Sequence, residues 1–232
     1  MQQKPTLLTI LDVLSIIVIG YATYSALFIA PTELVMGEVQ RVFYFHVGTG
    51  WVALLGFIIA SIAGILYLIN KKMIWDRFGF AAVEVSCMFF IITIILGSVW
   101  ARPAWNTWWT WDVRLTTAAI TELIFIAYFM LRAGIEDPEK RARFGAIYTI
   151  LGGLSAPITF MVIRLFRSIH PVVVGNPSAE AQGGFDMSVD MRNTLFIALI
   201  AFTILFIDFI WHRVRLGALQ EKVEELKLEK IS

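Results

Sequence analysis

The sequence predicts an all-α membrane protein, a bundle of six transmembrane helices with both termini cytoplasmic. Three observations carry this. The 232 residues are 58% hydrophobic and only 16% charged, with a mean hydropathy of +0.75. The apolar residues stand in blocks of about 20, the length that crosses a hydrocarbon core as a helix. The blocks are far longer than barrel strands and lack period-two alternation, so helices must satisfy the backbone in lipid. The 19 Lys and Arg residues divide unevenly between the two sides, and that bias sets the orientation.

The first span covers roughly 11–30 and stops before Pro31. It carries Asp12 near its start and lacks a small-residue cleavage site, so it is expected to remain as a span and not be removed as a signal peptide. The second covers roughly 45–69 and ends at Asn70, Lys71 and Lys72; the third covers 78–100. The fourth, 114–131, is short and carries Glu122. The fifth, 144–166, contains Pro157, which removes a backbone donor and predicts a kink. The sixth covers 193–211, and 212–232 reads as a polar, partly amphipathic helix in the cytosol.

One side then collects Lys4, Lys71, Lys72, Arg77, Arg132, Lys140, Arg141, Arg143, Arg213, Arg215, Lys222, Lys227 and Lys230. The other holds Arg41, Arg102, Arg114, Arg164, Arg167 and Arg192. The richer side is cytoplasmic. The whole chain, 1–232, reads as one integral membrane domain with outer loops at about 31–46, 101–115 and 167–192.

Several function classes fall away. A net charge of +1 argues against a nucleic-acid partner. The single cysteine, Cys87, gives no disulfide framework, CxxC or thiolate metal site. No nucleophile or paired acid–base set is evident, so the chain does not read as an enzyme. Glu84 and Glu122 lie within spans and are functional candidates by position; neither has an obvious cationic partner in the sequence.

The outer segments carry the chemistry. Of eight tryptophans, Trp100, Trp105, Trp108, Trp109 and Trp111 fall within twelve residues, in and around "WNTWWTWDVRL". An interfacial belt would spread them over many helix ends. A dense patch of indoles suits a large flat apolar ligand, and a porphyrin is such a ligand. Two of the three histidines, His46 and His170, fall on the same side as the tryptophans; the third, His212, lies at the other end of span six. Haem iron takes axial imidazole ligands, so these two suggest a site closing over a haem. Arg41, Arg102, Arg114 and Arg167, with Arg164 one turn earlier, either pair with propionates or anchor helix ends. Asp112 is a cap for span four, a salt-bridge partner of Arg102 or Arg114, or a direct participant.

Against this background, "GSVWARPAWNTWWTWDVRLTT", residues 97–117, resembles the tryptophan-rich WWD segment of the haem-handling membrane proteins of c-type cytochrome maturation. "RVFYFHV" and "RSIHP" resemble the segments around that family's two histidines. Six spans and a length near 230 resemble its CcmC branch. Asn106 stands where the family has glycine, and asparagine also tolerates left-handed backbone angles. The resemblance implies that His46 and His170 are axial ligands of the haem iron. It implies that Trp100, Trp105, Trp108, Trp109, Trp111 and Asp112 form the haem-binding loop. It also implies haem b as transported ligand, the CcmAB ABC transporter and CcmD as partners, and delivery to the haem chaperone CcmE. Placement in a bacterial cytoplasmic membrane, active face outward, follows from the same likeness. A b-type cytochrome redox subunit and a small-molecule permease are the rival readings.

Overall fold

In the computed structural model, residues 3–34, 36–173 and 187–231 are described. The middle of the expected outer loop 167–192 lies outside them. Helix α1 (Thr6–Tyr24) runs on through one wider π turn, Ser25–Ile29. A 3-10 turn, Glu38–Arg41, leads into α2 (Val42–Asn70), followed by α3 (Met73–Trp105), α4 (Val113–Ala133), α5 (Pro138–Gly153), α6 (Ser155–Leu165) and α7 (Val189–Ile231). Among the described residues, six stretches are long and apolar enough to cross a membrane: Thr6–Ile29, Glu38–Asn70, Met73–Trp105, Val113–Ala133, Pro138–Leu165 and Val189–Glu224.

The helices extend past the boundaries read from hydropathy. Helix α2 begins before Phe45, so His46 sits on its second turn and not in a loop. Helix α3 continues through Pro103 to Trp105. A proline disturbs the turn before it, so near a C-terminus it can end a helix without breaking it. The expected 101–115 loop thereby shrinks to the residues between Trp105 and Val113. Asn106 takes the left-handed conformation (φ 55°) that ends α3. Arg102 Nη1 donates to both its backbone oxygen and its Oδ1, each at 2.6 Å.

The fifth span is divided where proline chemistry requires. Pro157 lacks an N–H and crowds the carbonyl four residues earlier, which is that of Gly153. Helix α5 ends at Gly153 and α6 starts at Ser155, whose Oγ donates to the Gly152 carbonyl at 2.6 Å. Helix α7 is unbroken for 43 residues, so the polar C-terminal stretch continues the sixth span directly.

The core lies between α2, α3, α4 and α7. Phe57 and Phe125 stack at 3.8 Å, and Phe89 meets Phe202 edge-on at 6.1 Å. Arg132 of α4 grips Asp76 of α3 through two bonds, 2.5 and 2.9 Å. Glu84, which has no evident partner in the sequence, is paired with Arg213 across α3 and α7. Glu122 is buried, with neither carboxyl oxygen bonded among the described residues. Helix α1 sits at the edge of the bundle, chiefly against α7.

Candidate functional site

His46 is placed by helix packing. Its Nδ1 lies 2.9 Å from the Thr93 carbonyl oxygen on α3. A carbonyl can only accept, so Nδ1 carries the proton and Nε2 keeps its lone pair. The contact is possible because residue 97, one turn beyond Thr93, is glycine. A Cβ there would stand 2.7 Å from His46 Cε1, closer than real carbon atoms approach. Thr93 is itself held by bonds from its hydroxyl region to Phe89 O (2.8 Å) and Thr49 Oγ1 (2.9 Å).

His170 is placed differently, by hydrogen bonds in a loop. Asp112 caps α4, accepting from the Arg114 N–H at 3.0 Å. The same carboxylate accepts from Ser168 Oγ at 2.7 Å and from the Ile169 N–H at 3.1 Å. Ser168 Oγ in turn accepts from the His170 N–H at 3.0 Å. Asp112 therefore ties the tryptophan segment to the second histidine. The His170 Nδ1 lies 3.0 Å from the Pro171 carbonyl, which fixes this ring with its lone pair on Nε2 as well. Burial, with the Arg114 guanidinium and the His46 ring nearby, holds the His170 pKa well below the ordinary imidazole value. The ring is neutral at neutral pH.

The two imidazoles face a common space. Their ring centres are 6.4 Å apart. That separation would leave room for one metal atom held by both Nε2 atoms. Both line a cavity of about 810 Å³, within the range of small-molecule and cofactor sites. Trp100, Trp105 and Trp109 line it from the tryptophan segment. Trp105 lies 6.3 Å from the His170 ring and meets Trp100 edge-on at 5.6 Å. Trp100 is oriented by its Nε1–H, which donates to Gln40 Oε1 at 3.2 Å. Arg114 and Arg164 also line the cavity, and both donate to the Phe160 carbonyl, at 3.4 and 2.9 Å. Two guanidinium groups on one acceptor make a spot that favours an anion.

The other candidate residues stand outside the cavity wall. Trp108 and Trp111 are 58% and 75% exposed, Trp111 resting edge-on against Trp109. Arg41 donates to the Ala26 and Ala30 carbonyls and to Thr32, and pairs with Glu38, so it closes the end of the first span. Arg102 caps α3, and Arg167 is exposed. Sequence reasoning missed Trp51, whose Nε1–H donates to Thr203 Oγ1 at 3.1 Å across α2 and α7. Its place on the same helix, five residues after His46, was the available signal. Ser168, Thr93 and Gly97 were missed too, and only the last had a cue, as the first residue of the motif.

The chain is similar to several known proteins. It is 27% identical over 204 residues to heme exporter protein C of Bradyrhizobium diazoefficiens, covering 88% of this chain and 76% of that protein. With heme exporter protein C of Paracoccus denitrificans the identity is 24% over 189 residues, covering 81% and 77%. With that of Escherichia coli K12 it is 25% over 206 residues, covering 87% and 81%. The family described as CcmC, heme exporter protein C, matches residues 1–229, nearly the whole chain. The chain belongs to the CcmC family.

Proposed function

We propose that this protein binds haem b as cargo in the cavity between His46 and His170 and passes it to the haem chaperone CcmE for c-type cytochrome biogenesis. The CcmAB ABC transporter and CcmD are its partners. It spans a bacterial cytoplasmic membrane with both termini inside and the histidine end outward. The observation that carries the reading is the pair of imidazoles on one cavity, each with Nδ1–H tied to a carbonyl. Donating the second ring nitrogen to a carbonyl is the usual arrangement of a metal-ligating histidine.

Each part of the wall has a task. His46 and His170 offer Nε2 to the iron. Trp100, Trp105 and Trp109 offer apolar faces to the macrocycle. Arg114 and Arg164 are the cations for the propionates, while Arg41 and Arg102 hold helix ends and Arg167 stays at the periphery. Asp112 positions His170. Trp108 and Trp111 face away from the cavity, exposed for contact with lipid or with the chaperone. The part of the chain in attachment is orientation of the haem. Reversible binding suits a carrier, and the haem supplies only its iron and carboxylates as handles.

The test is the absorption spectrum of the purified protein beside His46→Ala and His170→Ala. A b-type spectrum in the wild type that is lost or shifted in each variant is the expected result. A wild type without haem when produced with its partners, or variants with unchanged spectra, overturns the site. Haem that cycles between redox states yet never reaches CcmE would make the protein a redox subunit instead.

A further inference from the structure

The end of the bundle remote from the histidine pair holds a second cluster. Helix α7 lines the cavity from Phe196 to Ile204, and Asp208 lies about one turn further along it, away from the histidines. There Asp208 and His212 of α7 meet Asp12 of α1, with one ligand atom from each lying within 4.8 Å of the others. His212 Nε2 is 2.7 Å from Asp12 Oδ1 and 3.7 Å from Asp208 Oδ1. Lys4 Nζ bonds the other Asp12 oxygen.

The protons do not go round. His212 Nε2 carries at most one hydrogen, and its close contact is with Asp12. Lys4 serves Asp12 as well. Asp208 is only 5% exposed, yet its Oδ1, directed at this cluster, makes no well-formed hydrogen bond among the described residues, and the buried Ser15 hydroxyl beside it can serve one oxygen at most. A buried acceptor without a donor is costly, and a carboxylate more so. One more neutral donor would satisfy one oxygen. A cation seated among the three would satisfy all of them.

We propose that Asp12, Asp208 and His212 form a binding site for a divalent first-row transition metal of the Zn²⁺ class. Two carboxylates and an imidazole are a mixed oxygen–nitrogen donor set, which suits such ions better than Mg²⁺ or Ca²⁺. Three protein ligands leave one position for water. Bonds of about 2.0–2.2 Å place donor atoms roughly 3–3.5 Å apart around one ion. The observed separations of 2.7 and 3.7 Å bracket that range, so side-chain adjustments on the order of 1 Å close the site. With a neutral imidazole, two carboxylates and Lys4 leave one negative charge uncompensated. The ion compensates it, and Lys4, on an exposed side chain, can withdraw. The consequence is structural. Helix α1 is the least embedded span, with 17% of its apolar window buried, and the ion clamps it to α7.

The experiment uses the full chain in detergent, stripped with a chelator and titrated with Co²⁺ by visible absorption, then with competing Zn²⁺. His46 and His170 also bind metals, so the titration is run in the wild type and in a His46→Ala/His170→Ala background. One tight equivalent that persists in that background is expected. Asp208→Asn and His212→Ala should each weaken it by roughly 100-fold, while Lys4→Ala leaves it intact or tighter. In the otherwise wild-type chain both variants should keep the haem spectrum, which reports an intact fold at the far end. Thermal unfolding should rise with Zn²⁺ in the wild type and not in Asp208→Asn. No stoichiometric binding, or binding indifferent to both substitutions, overturns the proposal and leaves an ion-paired helix junction.

Discussion

The two histidines of the cavity are held by different physics. His46 stands on the second turn of a 29-residue helix, its ring pressed to a carbonyl of α3 over the bare backbone of Gly97. Its position is fixed by the packing of two long helices. His170 stands outside any helix and is fixed by a relay of hydrogen bonds from Asp112 through Ser168. Packing distributes its energy over many contacts, whereas a relay concentrates it in one carboxylate. The His170 side is therefore the one that a single polar substitution can release, which would suit the proposed role of a carrier that lets its cargo go.

The largest expected effect breaks the tether. Asp112→Ala should lower haem affinity by about 10–100-fold, the usual cost of removing a group that orients a metal ligand. Haem titration followed by absorption would show the His46 contribution surviving while that of His170 weakens. Asp112→Asn separates two roles of the residue. Asparagine is a good helix cap, but it loses the charge that accepts from Ser168 and Ile169. If its affinity stays at the wild-type value, the relay is not what holds His170.

Next comes the packed side. Gly97→Ala places a methyl 2.7 Å from His46 Cε1. Overpacking of this kind costs about 1–3 kcal/mol. A shifted haem spectrum with the His170 relay intact is expected; an unchanged spectrum and unfolding temperature would mean that the α2–α3 pair simply opens. Ser168→Ala should be milder than Asp112→Ala, because the Ile169 N–H still reaches the carboxylate; one neutral hydrogen bond is worth about 0.5–1.5 kcal/mol.

The smallest effect is pH dependence in the haem-free protein. The His170 pKa is depressed in the folded state by burial and by Arg114. In the unfolded chain the same ring takes up a proton near its ordinary value of about 6.5. Between the two values the unfolded state binds more protons, so stability falls as pH drops below about 6.5. The slope from this group is at most about 1.4 kcal/mol per pH unit. Melting curves from pH 7.5 down to 5.5 should separate the wild type from His170→Gln; parallel curves would contradict a depressed His170 pKa.

Much of the fold was legible in the sequence because apolar length and proline chemistry are local properties. The six spans follow from the need to satisfy the backbone in lipid, and the break after Gly153 follows from Pro157. The ends were less legible. Hydropathy stops where residues become amphipathic, but hydrogen bonding does not, so α2 starts at Val42 and α3 runs on to Trp105, past the expected boundaries.

The division is sharper at the site. Residue chemistry alone determined that two histidines and a group of tryptophans share one end of the bundle, since span count and parity decide which end each loop occupies. Only the tertiary structure decided which tryptophans turn inward, because side-chain direction at the end of α3 depends on the left-handed turn at Asn106 and on Gln40 from another element. It alone joined Asp112 to Ser168, 56 positions apart, and Glu84 to Arg213, 129 apart. Pairings over such distances depend on which helix faces meet, and that is a property of packing, not of any window of sequence.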